Sequence, residues 1–266
     1  AAVTGRSLAT VEYDRFPDGE LKVRVPDPST DRAVVVASTP TGDAHLELLQ
    51  LQDALREAGV SEITTVLPYM GYARQDKVFE TGDPVSARAM ARAVSTGTDR
   101  VLTVNPHERG VTDFFDVPTT AVDAAGRLAE PLADLAEPVF VAPDEGAIDL
   151  AGTVRDAYGG GETDYFEKTR HSSTEVDIEP RDADVAGRDV VLVDDIVATG
   201  STMSEAVAAL GERDAARVFV TCVHPMLARN AVLKLSAAGV EAIYGTDTLE
   251  RPVSEVSAAP AIAEQL

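Results

Sequence analysis

The sequence predicts an α/β protein made of two doubly wound parallel-sheet domains, and three observations lead to this class. Short β-branched runs alternate with amphipathic helical stretches, which is the pattern of parallel strands joined by helices. The alternation pauses between Pro131 and Pro138, where acidic and proline residues cluster, and then starts again. A chain of 266 residues, 44% of them hydrophobic, can bury a core in each half.

The first domain, predicted over residues 1–133, contains a regular series of elements. Asp43 is expected to cap a helix that ends at Gly59, because Asp favours the N-cap and glycine favours the position after the last turn. Pro84 is expected to open the next helix, since proline suits the first helical turn. Strands are predicted over residues 33–38, 62–67 and 100–104.

The second domain, predicted over residues 134–266, repeats this order. Helices are expected from about Gly146, from Ser201, and in a stretch that ends near Gly239. Strands are predicted over residues 138–144, 164–168, 188–195 and 216–223. Each half is therefore expected to form its own small sheet.

The acidic composition argues against two classes of function. With 45 acidic and 23 basic side chains, the chain lacks the basic patch that holds a phosphate backbone, so nucleic-acid binding is not expected. The longest apolar runs, such as residues 190–193, are far shorter than the ~20 residues that span a bilayer, so no membrane association is expected. The chain opens without a charged and apolar leader, and its single cysteine cannot form an internal disulfide. A cytoplasmic location is therefore expected.

Lysine is scarce among the basic residues, since only four of the 23 are lysine: Lys22, Lys77, Lys168 and Lys234. A net charge of −22 with few lysines and many small residues is typical of proteins that stay hydrated in concentrated salt. The alternative is an ordinary acidic surface with no meaning for function. The halophilic interpretation is favoured, and it draws attention to the few lysines that remain.

The strongest motif is VVLVDDIVATGST at residues 190–202. A buried strand that ends in Asp194 and Asp195 places both carboxylates at the edge where open α/β sheets bind ligands. The small residues that follow offer successive backbone N–H groups, hydroxyls and a helix N-terminus, which together suit a phosphate: Ala198, Thr199, Gly200, Ser201 and Thr202. The carboxylates can accept hydrogen bonds from sugar hydroxyls or face hydrated Mg²⁺. The motif predicts a sugar-phosphate site, the alternative being an ordinary capped strand-to-helix turn.

This stretch resembles the phosphoribosyl pyrophosphate signature of the type I phosphoribosyltransferase fold. Five further segments resemble ribose-phosphate diphosphokinases, also called phosphoribosyl pyrophosphate synthetases, and in particular their compact archaeal branch. The resemblance as a whole runs from about residue 12 to 250, with the segments in family order. The resemblance implies that the substrates are ATP and ribose 5-phosphate, that the cofactor is Mg²⁺, and that the protein is a homodimer or a higher homo-oligomer.

Two segments resemble the family's ATP-binding loops. FPDGE at 16–20 implies that Phe16 stacks on adenine across a dimer interface while Asp18 and Glu20, on either side of Gly19, accept hydrogen bonds. Its alternative is a tight turn between strands. PYMGYARQDK at 68–77 implies triphosphate contacts from Arg74 and Gln75, with Asp76 and Lys77 near the same site. Its alternative is a charged surface loop.

Two more segments imply the residues that bind the metal. NPHERGVTDFFDVP at 105–118 resembles the family's histidine segment and implies His107 as a ligand of metal and ATP. The chain departs from the family here, because Asn105 stands where the family mostly has aspartate. APDEGA at 142–147 implies Asp144 at metal and substrate. The alternatives are a structural histidine and an Asp helix cap.

The last segment, YFEKTRHSSTEV at 165–176, resembles the family's catalytic flap. Lys168 and Arg170 are then the catalytic residues, with Arg170 also near ribose 5-phosphate. On an extended segment both cations project from the same side, which suits a phosphoryl group with charge on its equatorial oxygens. The polar 171–174 run is interpreted as a flexible lid. Two solvated surface cations are the alternative.

The expected reaction is attack by the anomeric hydroxyl of ribose 5-phosphate on the β-phosphorus of ATP, which yields phosphoribosyl pyrophosphate and AMP. Three alternatives share the signature: a phosphoribosyltransferase, a non-catalytic regulator of the same family, and a ligand-sensing gene regulator on this fold. The adenine and triphosphate segments argue against the first, and the presence of Lys168 and Arg170 argues against the second. The third should show a basic nucleic-acid surface or an appended DNA-binding domain, and the sequence shows neither.

Overall fold

The computed structural model describes residues 1–28, 30–170 and 176–266, and for residues 168–170 and 176–179 it describes the backbone. The chain divides into two compact units. The first consists of Ala1–Asp123 together with Ala259–Leu266, and the second consists of Ala124–Ala258. Each unit contains a parallel sheet, so the predicted α/β class is confirmed.

The division differs from the predicted boundary at residue 133 for identifiable reasons. Residues Ala125–Ala129 form a 3₁₀ helix whose buried Ala125 and Leu128 pack within the second unit. At the carboxyl end, Arg6 Nη2 donates to the carbonyl oxygen of Leu266 at 3.2 Å and Arg100 Nη1 donates to that of Gln265 at 3.1 Å. These bonds attach the last residues of the chain to the first unit.

The first unit has a parallel sheet whose four strands lie in chain order, preceded by an antiparallel hairpin. The hairpin strands are β1 (Glu12–Arg15) and β2 (Leu21–Arg24). The sheet strands are β3 (Arg32–Val36), β4 (Glu62–Leu67), β5 (Arg100–Val104) and β6 (Thr119–Val122). The helices are α1 (Gly42–Glu57), α2 (Ser86–Ser95) and a 3₁₀ helix (Arg109–Phe114), with the chain's last helix, Ala259–Ala263, also in this unit.

Helix α1 begins at a different N-cap from the predicted one and ends at the predicted glycine. Its N-cap is Thr41, whose hydroxyl accepts a hydrogen bond from the Ala44 N–H at 3.2 Å, so the prediction that Asp43 caps this helix is wrong. Asp43 instead lies in the first turn, where a negative charge faces the positive end of the helix dipole. Gly59 follows the helix with φ +91°, as expected of a glycine stop.

The second unit has a seven-stranded sheet with the order β13-β12-β11-β10-β7-β8-β9, which is parallel except for the β8–β9 pair. The first four of these strands in the chain are β7 (Val139–Ala142), β8 (Glu162–Arg170), β9 (Val176–Pro180) and β10 (Asp189–Ile196). The remaining three are β11 (Arg217–His224), β12 (Ala242–Thr246) and β13 (Ser254–Val256). The helices are α3 (Ile148–Tyr158), α4 (Ser201–Gly211) and α5 (Ala231–Ala238), and a 3₁₀ turn (Glu145–Ala147) precedes α3.

This strand order creates a switch point between β7 and β10. After β7 the chain adds β8 on one side, and after β10 it adds β11 and then β12 on the other. Ligands of open α/β sheets bind at the carboxyl ends of the strands at such a point. The segments that leave β7 and β10 there begin with Pro143-Asp144 and with Val197.

The central strands β10 and β11 are buried along most of their length. Cys222 of β11 pairs in register with Asp194 of β10 and is 0% exposed. Burial raises the pKa of its thiol far above the ordinary value. Among the described residues, no helix combines the length and apolar character needed to cross a bilayer.

Candidate substrate-binding sites

Three carboxylates gather at the switch point of the second unit. Asp194 and Asp195 end the buried run of β10, and Asp144 follows the neighbouring strand β7. The Asp195 N–H donates to Asp194 Oδ1 at 2.9 Å. Asp144 is exposed and its Oδ1 accepts from the Gly146 N–H at 3.1 Å, so it does cap the 3₁₀ turn. A carboxylate has room for further donors, so the cap leaves Asp144 able to contact a ligand.

The electrostatics of this cluster are unfavourable in the absence of a ligand. Burial raises the pKa of Asp194 well above its ordinary range, and repulsion by Asp195 and then by Asp144 adds to the shift. A buried carboxylate of this kind gains most from a partner that donates hydrogen bonds or carries positive charge. Sugar hydroxyls and divalent cations are such partners.

Residues 198–202 follow β10 and include the first two residues of α4, and we call this stretch the phosphate loop. Thr199 and Thr202 are exposed, and none of the described side chains caps α4. The N-terminus of α4 therefore presents its backbone N–H groups and the positive end of the helix dipole to solvent, as an anion site requires.

Gly200 gives the phosphate loop its shape. Its φ of +71° lies in the left-handed region, where a side chain is strained. A Cβ at this position would also lie 3.2 Å from both Cβ and the carbonyl oxygen of Ala231, at the start of α5. The loop and α5 are thus in close contact, and glycine is needed for that contact.

The structure adds one residue to this site that the sequence did not single out as a ligand. Lys234 of α5 donates from Nζ to the Ser201 hydroxyl oxygen at 2.8 Å. The two residues are 33 positions apart in the chain, so only the scarcity of lysine drew attention to Lys234 beforehand.

The predicted catalytic pair lies on the hairpin at the sheet edge. Residues Lys168 and Arg170 are both in β8, and their backbones pair antiparallel with Ile178 and Val176 of β9. The extended backbone that the Lys-x-Arg argument assumed is present. The 171–174 run, interpreted as a lid, lies outside the described residues, as do the side chains of the catalytic pair.

In the first unit, the predicted triphosphate segment follows β4 and packs closely against Thr39. The Gly71 N–H donates to Thr39 Oγ1 at 3.1 Å, and the Thr39 N–H donates to the Tyr69 carbonyl oxygen at 2.8 Å. A Cβ at position 71 would overlap the Thr39 carbonyl oxygen, so only glycine allows this approach.

The two predicted phosphate ligands of this segment differ in their surroundings. Arg74 is exposed, whereas Gln75 is held at the start of α2: the Ser86 hydroxyl donates to its Oε1, and the Ala87 N–H donates to its carbonyl oxygen at 3.1 Å. The segment is therefore an ordered loop that presents one exposed cation beside one fixed amide.

The predicted adenine loop is the turn of the β1–β2 hairpin. The Phe16 N–H donates to the Glu20 carbonyl oxygen at 2.9 Å, and the Glu20 N–H donates to Asp18 Oδ1 at 3.2 Å. Gly19 has φ +94°, which the turn requires. The Phe16 ring is 46% exposed and has Lys22 Nζ at 5.4 Å from its centroid. The tight turn and an open aromatic face are both present, so the two interpretations of FPDGE are compatible.

His107 follows β5 and is exposed, as a ligand would be. Asn105, at the end of β5, has φ +35° and donates from Nδ2 to Asp123 Oδ1 at 2.8 Å. An aspartate at position 105 would repel Asp123 instead of bonding to it. The departure from the usual family residue is thus accommodated by a local hydrogen bond.

A metal ion bound near Asp144 would need ligands from the substrate as well as from the protein. Among the described residues, no group of three or more histidine, cysteine or carboxylate side chains could hold a metal ion alone. Mg²⁺ commonly binds through one or two carboxylates, several waters and substrate phosphates, without an all-protein cage. The exposed Asp144 and the electrostatic strain on Asp194 fit that mode of binding.

Comparison with known proteins identifies the family of this chain. Residues 1–97 match a family model described as the N-terminal domain of ribose phosphate pyrophosphokinase, and residues 119–241 match one described as a phosphoribosyl transferase domain. The chain is 68% identical to a ribose-phosphate pyrophosphokinase of Halobacterium salinarum, with 100% of this chain and 95% of that protein covered.

More distant relatives carry the same name. The ribose-phosphate pyrophosphokinase of Methanosarcina mazei is 47% identical, with 100% of this chain and 91% of the relative covered. A crystal structure of phosphoribosylpyrophosphate synthetase from Mycobacterium smegmatis superposes with a TM-score of 0.84 at 28% identity, covering 98% of this chain and 90% of that one. The likeness extends over both units.

Proposed function

Because the chain belongs to the ribose-phosphate pyrophosphokinase family, we propose that its second unit binds ribose 5-phosphate and that loops of its first unit bind ATP. The chain is a ribose-phosphate pyrophosphokinase, an enzyme of nucleotide biosynthesis. Its reaction forms a bond between the C1 oxygen of the sugar and the β-phosphorus of ATP, and it breaks the bond from that phosphorus to the α-phosphate oxygen. AMP leaves, and the proton of the hydroxyl is released.

The observation that best supports the sugar site is the strained carboxylate cluster beside an open helix N-terminus. Asp194 and Asp195 accept hydrogen bonds from the ribose hydroxyls, which relieves the repulsion between them. The 5-phosphate binds at the phosphate loop through backbone N–H groups and the hydroxyls of Thr199, Ser201 and Thr202.

ATP is assigned to three loops of the first unit. Phe16 stacks on the adenine while Asp18 and Glu20 accept from it, the triphosphate contacts Arg74 and Gln75, and His107 lies near the metal. The open face of Phe16 and the fixed backbone of the 68–77 segment support these roles. The adenine loop is assigned to a subunit interface, so a homodimer or a larger homo-oligomer is part of the proposal.

Mg²⁺, when bound, would supply positive charge that offsets the charge of the ATP phosphates. Asp144 and His107 would hold it, together with waters and substrate oxygens. Lys168 and Arg170 stabilise the charge that develops on the transferring group, and no general base is required for a reaction that depends on positioning and electrostatics.

The experiment that tests this function measures AMP formation from ATP with the purified protein. We expect AMP and phosphoribosyl pyrophosphate in equal amounts when ribose 5-phosphate and Mg²⁺ are present, and neither product when the sugar is left out. A phosphoribosyltransferase would form no AMP from these substrates, and a regulatory subunit would form no product. Either result would contradict the assignment.

The hydroxyls of the phosphate loop give a first prediction. Thr199→Val and Thr202→Val should each raise KM for ribose 5-phosphate about 10-fold, because each removes a hydrogen bond to a charged group while keeping the side-chain shape. The corresponding Ser variants keep the hydroxyl and should stay within about threefold of the native protein. Steady-state kinetics with saturating ATP measure both values, and equal effects of Ser and Val would exclude the hydroxyls as ligands.

Dependence on salt gives a second prediction, which follows from the net charge of −22. At about 0.01 M salt the screening length is about 30 Å, so acidic groups repel across a whole domain, whereas at 1 M it is about 3 Å. The repulsion should be strongest at a subunit interface, where two acidic protomers would meet. As the salt concentration is lowered, activity should therefore fall together with subunit dissociation and before loss of secondary structure.

The measurement follows specific activity, light-scattering mass and circular dichroism from molar KCl down to tens of millimolar. A neutral osmolyte at matched osmolarity serves as the control, because it does not screen charge. Full activity of an intact oligomer in dilute buffer would refute the halophilic adaptation and would leave the enzymatic function in place.

A further inference from the structure

Lys234 lies next to the proposed phosphate site without having been assigned any role. Its ammonium group donates to Ser201 Oγ at 2.8 Å, and its side chain is partly buried. The other three lysines belong to proposed substrate segments or contact them: Lys22 lies over the Phe16 ring, Lys77 ends the triphosphate segment, and Lys168 is in the flap. Because lysine is so scarce in this chain, the contact of Lys234 with the phosphate loop indicates a specific physical role.

The contact is held in place by the backbone on both sides. The N–H groups of Leu227 and Ala228 donate to the carbonyl oxygens of Val197 and Ala198 at 2.9 and 2.8 Å, so the segment before α5 is bonded to the segment that enters the phosphate loop. Ala231 is fully buried against Gly200. Lys234 is three residues further along α5 and therefore lies on the same helix face as Ala231. The side chain is thus directed to Ser201 by a rigid support.

The hydrogen bond also determines what the Ser201 hydroxyl can do. An ammonium group has only donors, so the Ser201 oxygen must accept in this contact and its own proton remains for another acceptor. Ser201 is the first residue of α4, and a bound phosphate would supply that acceptor. Lys234 therefore orients the Ser201 hydroxyl so that it can donate to a phosphate bound at the phosphate loop.

Charge provides a second reason for a cation at this place. Asp194 and Asp195 precede the phosphate loop by a few residues and repel a phosphate dianion, and the first turn of α4 carries no charged residue of its own. The ammonium of Lys234 offsets this repulsion from the far side of Ser201.

We propose that Lys234 is a positioning residue that orients Ser201 and adds positive charge to the site of the 5-phosphate, and so favours phosphorylated over unphosphorylated sugars. This inference rests on the proposed function, because it assumes that the phosphate loop binds ribose 5-phosphate. It assigns Lys234 to binding of the sugar phosphate and to no step of the transfer itself.

The first test is Lys234→Met, which keeps the aliphatic stem and removes the charge. KM for ribose 5-phosphate should rise about 10-fold or more, as expected for loss of a hydrogen bond to a charged group, while KM for ATP and kcat change less than about twofold. Lys234→Arg keeps a cationic donor and should restore most of the affinity. Arg213→Met removes one positive charge beyond the opposite end of α4, about 16 Å from its N-terminus, and should leave both KM values unchanged.

The second test measures coupling between the two residues. If Lys234 acts in part through Ser201, the double variant Ser201→Ala/Lys234→Met should lose less affinity for ribose 5-phosphate than the product of the two single losses. A charge effect that is entirely independent of Ser201 would give the full product and would contradict the orienting role. Calorimetric titration with ribose 5-phosphate measures this without turnover, and Lys234→Gln replaces Lys234→Met in the cycle if the Met variant fails to fold.

The outcomes separate the inference from the function on which it rests. If the native protein binds ribose 5-phosphate and forms AMP while Lys234→Met keeps the native KM for the sugar, the role of Lys234 is wrong and the function stands. Equal increases of both KM values would also overturn it, since they indicate general damage. If the native protein itself neither binds the sugar phosphate nor forms AMP, the proposed function is wrong.

Discussion

Replacing Lys168 or Arg170 with alanine is expected to lower turnover by about 10²-fold or more, with a much smaller change in the KM of either substrate. The reason is that charge on the equatorial oxygens of the transferring group reaches its maximum in the transition state. A cation that contacts those oxygens stabilises the transition state more than the bound substrates. Single-turnover measurements at saturating ATP and ribose 5-phosphate report the chemical step directly.

A matched control is available on the same hairpin. Arg181 follows β9, bonds to the Tyr165 hydroxyl and forms 3.4 Å ion pairs with Glu167 and Asp182. These pairs are exposed, so Arg181→Ala should have little effect on turnover or stability. A Lys168 or Arg170 variant with native turnover and only weaker substrate binding would contradict the catalytic assignment.

Asp194→Asn is expected to weaken binding of ribose 5-phosphate about 10²-fold while making the folded protein more stable at neutral pH. Binding is lost because the carboxylate accepts charge-assisted hydrogen bonds from the sugar, which an amide replaces poorly. The affinity for ATP should change much less. Calorimetric titration with each substrate measures the difference, and equal losses for both would contradict the assignment of Asp194 to the sugar.

The gain in stability follows from the direction of the pKa shift. Burial and the neighbouring carboxylates raise the pKa of Asp194 in the folded protein well above the ordinary value that it has in the unfolded chain. Between these two values the folded state holds a proton that the unfolded chain has lost, so native stability falls as the pH rises through this window. Asparagine has no such proton to lose. Melting temperatures measured against pH should therefore diverge above about pH 4 in favour of the variant.

Asp189, at the other end of the same strand, supplies the opposite case. It is 1% exposed and its Oδ2 accepts from Arg217 Nη2 at 2.5 Å, and this hydrogen bond lowers the pKa of Asp189. Its contribution to stability is present above the unfolded value and is lost as the pH falls through the folded one. Asp189→Asn should therefore reduce the melting temperature at neutral pH, where Asp194→Asn raises it.

Elements with a strong local pattern were predictable from the sequence. The bounds of β4 and β5 coincide with the predicted 62–67 and 100–104, because these strands are short runs rich in β-branched residues between clear turn signals. Strand β9 (Val176–Pro180) was not predicted, since it has only five residues, two of them acidic, and depends on pairing with β8. Strand β12 contains a glycine and lies in a sheet that only the tertiary structure defines.

The candidate sites divide in the same way. The carboxylates of β10 and the phosphate loop are contiguous in the chain, so their placement together could be foreseen from one motif. The bond from Lys234 to Ser201 and the bond from Asn105 to Asp123 join residues that are distant in sequence, and no local pattern indicates them. The prediction that Asp43 caps α1 was wrong for a simpler reason. Both Thr41 and Asp43 are residue types that favour the N-cap, and the sequence does not decide between them.

The burial of Cys222 has a practical consequence for spectroscopy. The chain has no other cysteine, and this one is fully buried in a central strand with a thiol that ionises only at very high pH. Thiol-directed probes react with the thiolate, so the native protein should remain unlabelled while folded. A cysteine introduced on the flap or on the β1–β2 hairpin would then carry the only fluorophore or spin label. Movements of either segment could be followed during turnover without first removing a native thiol.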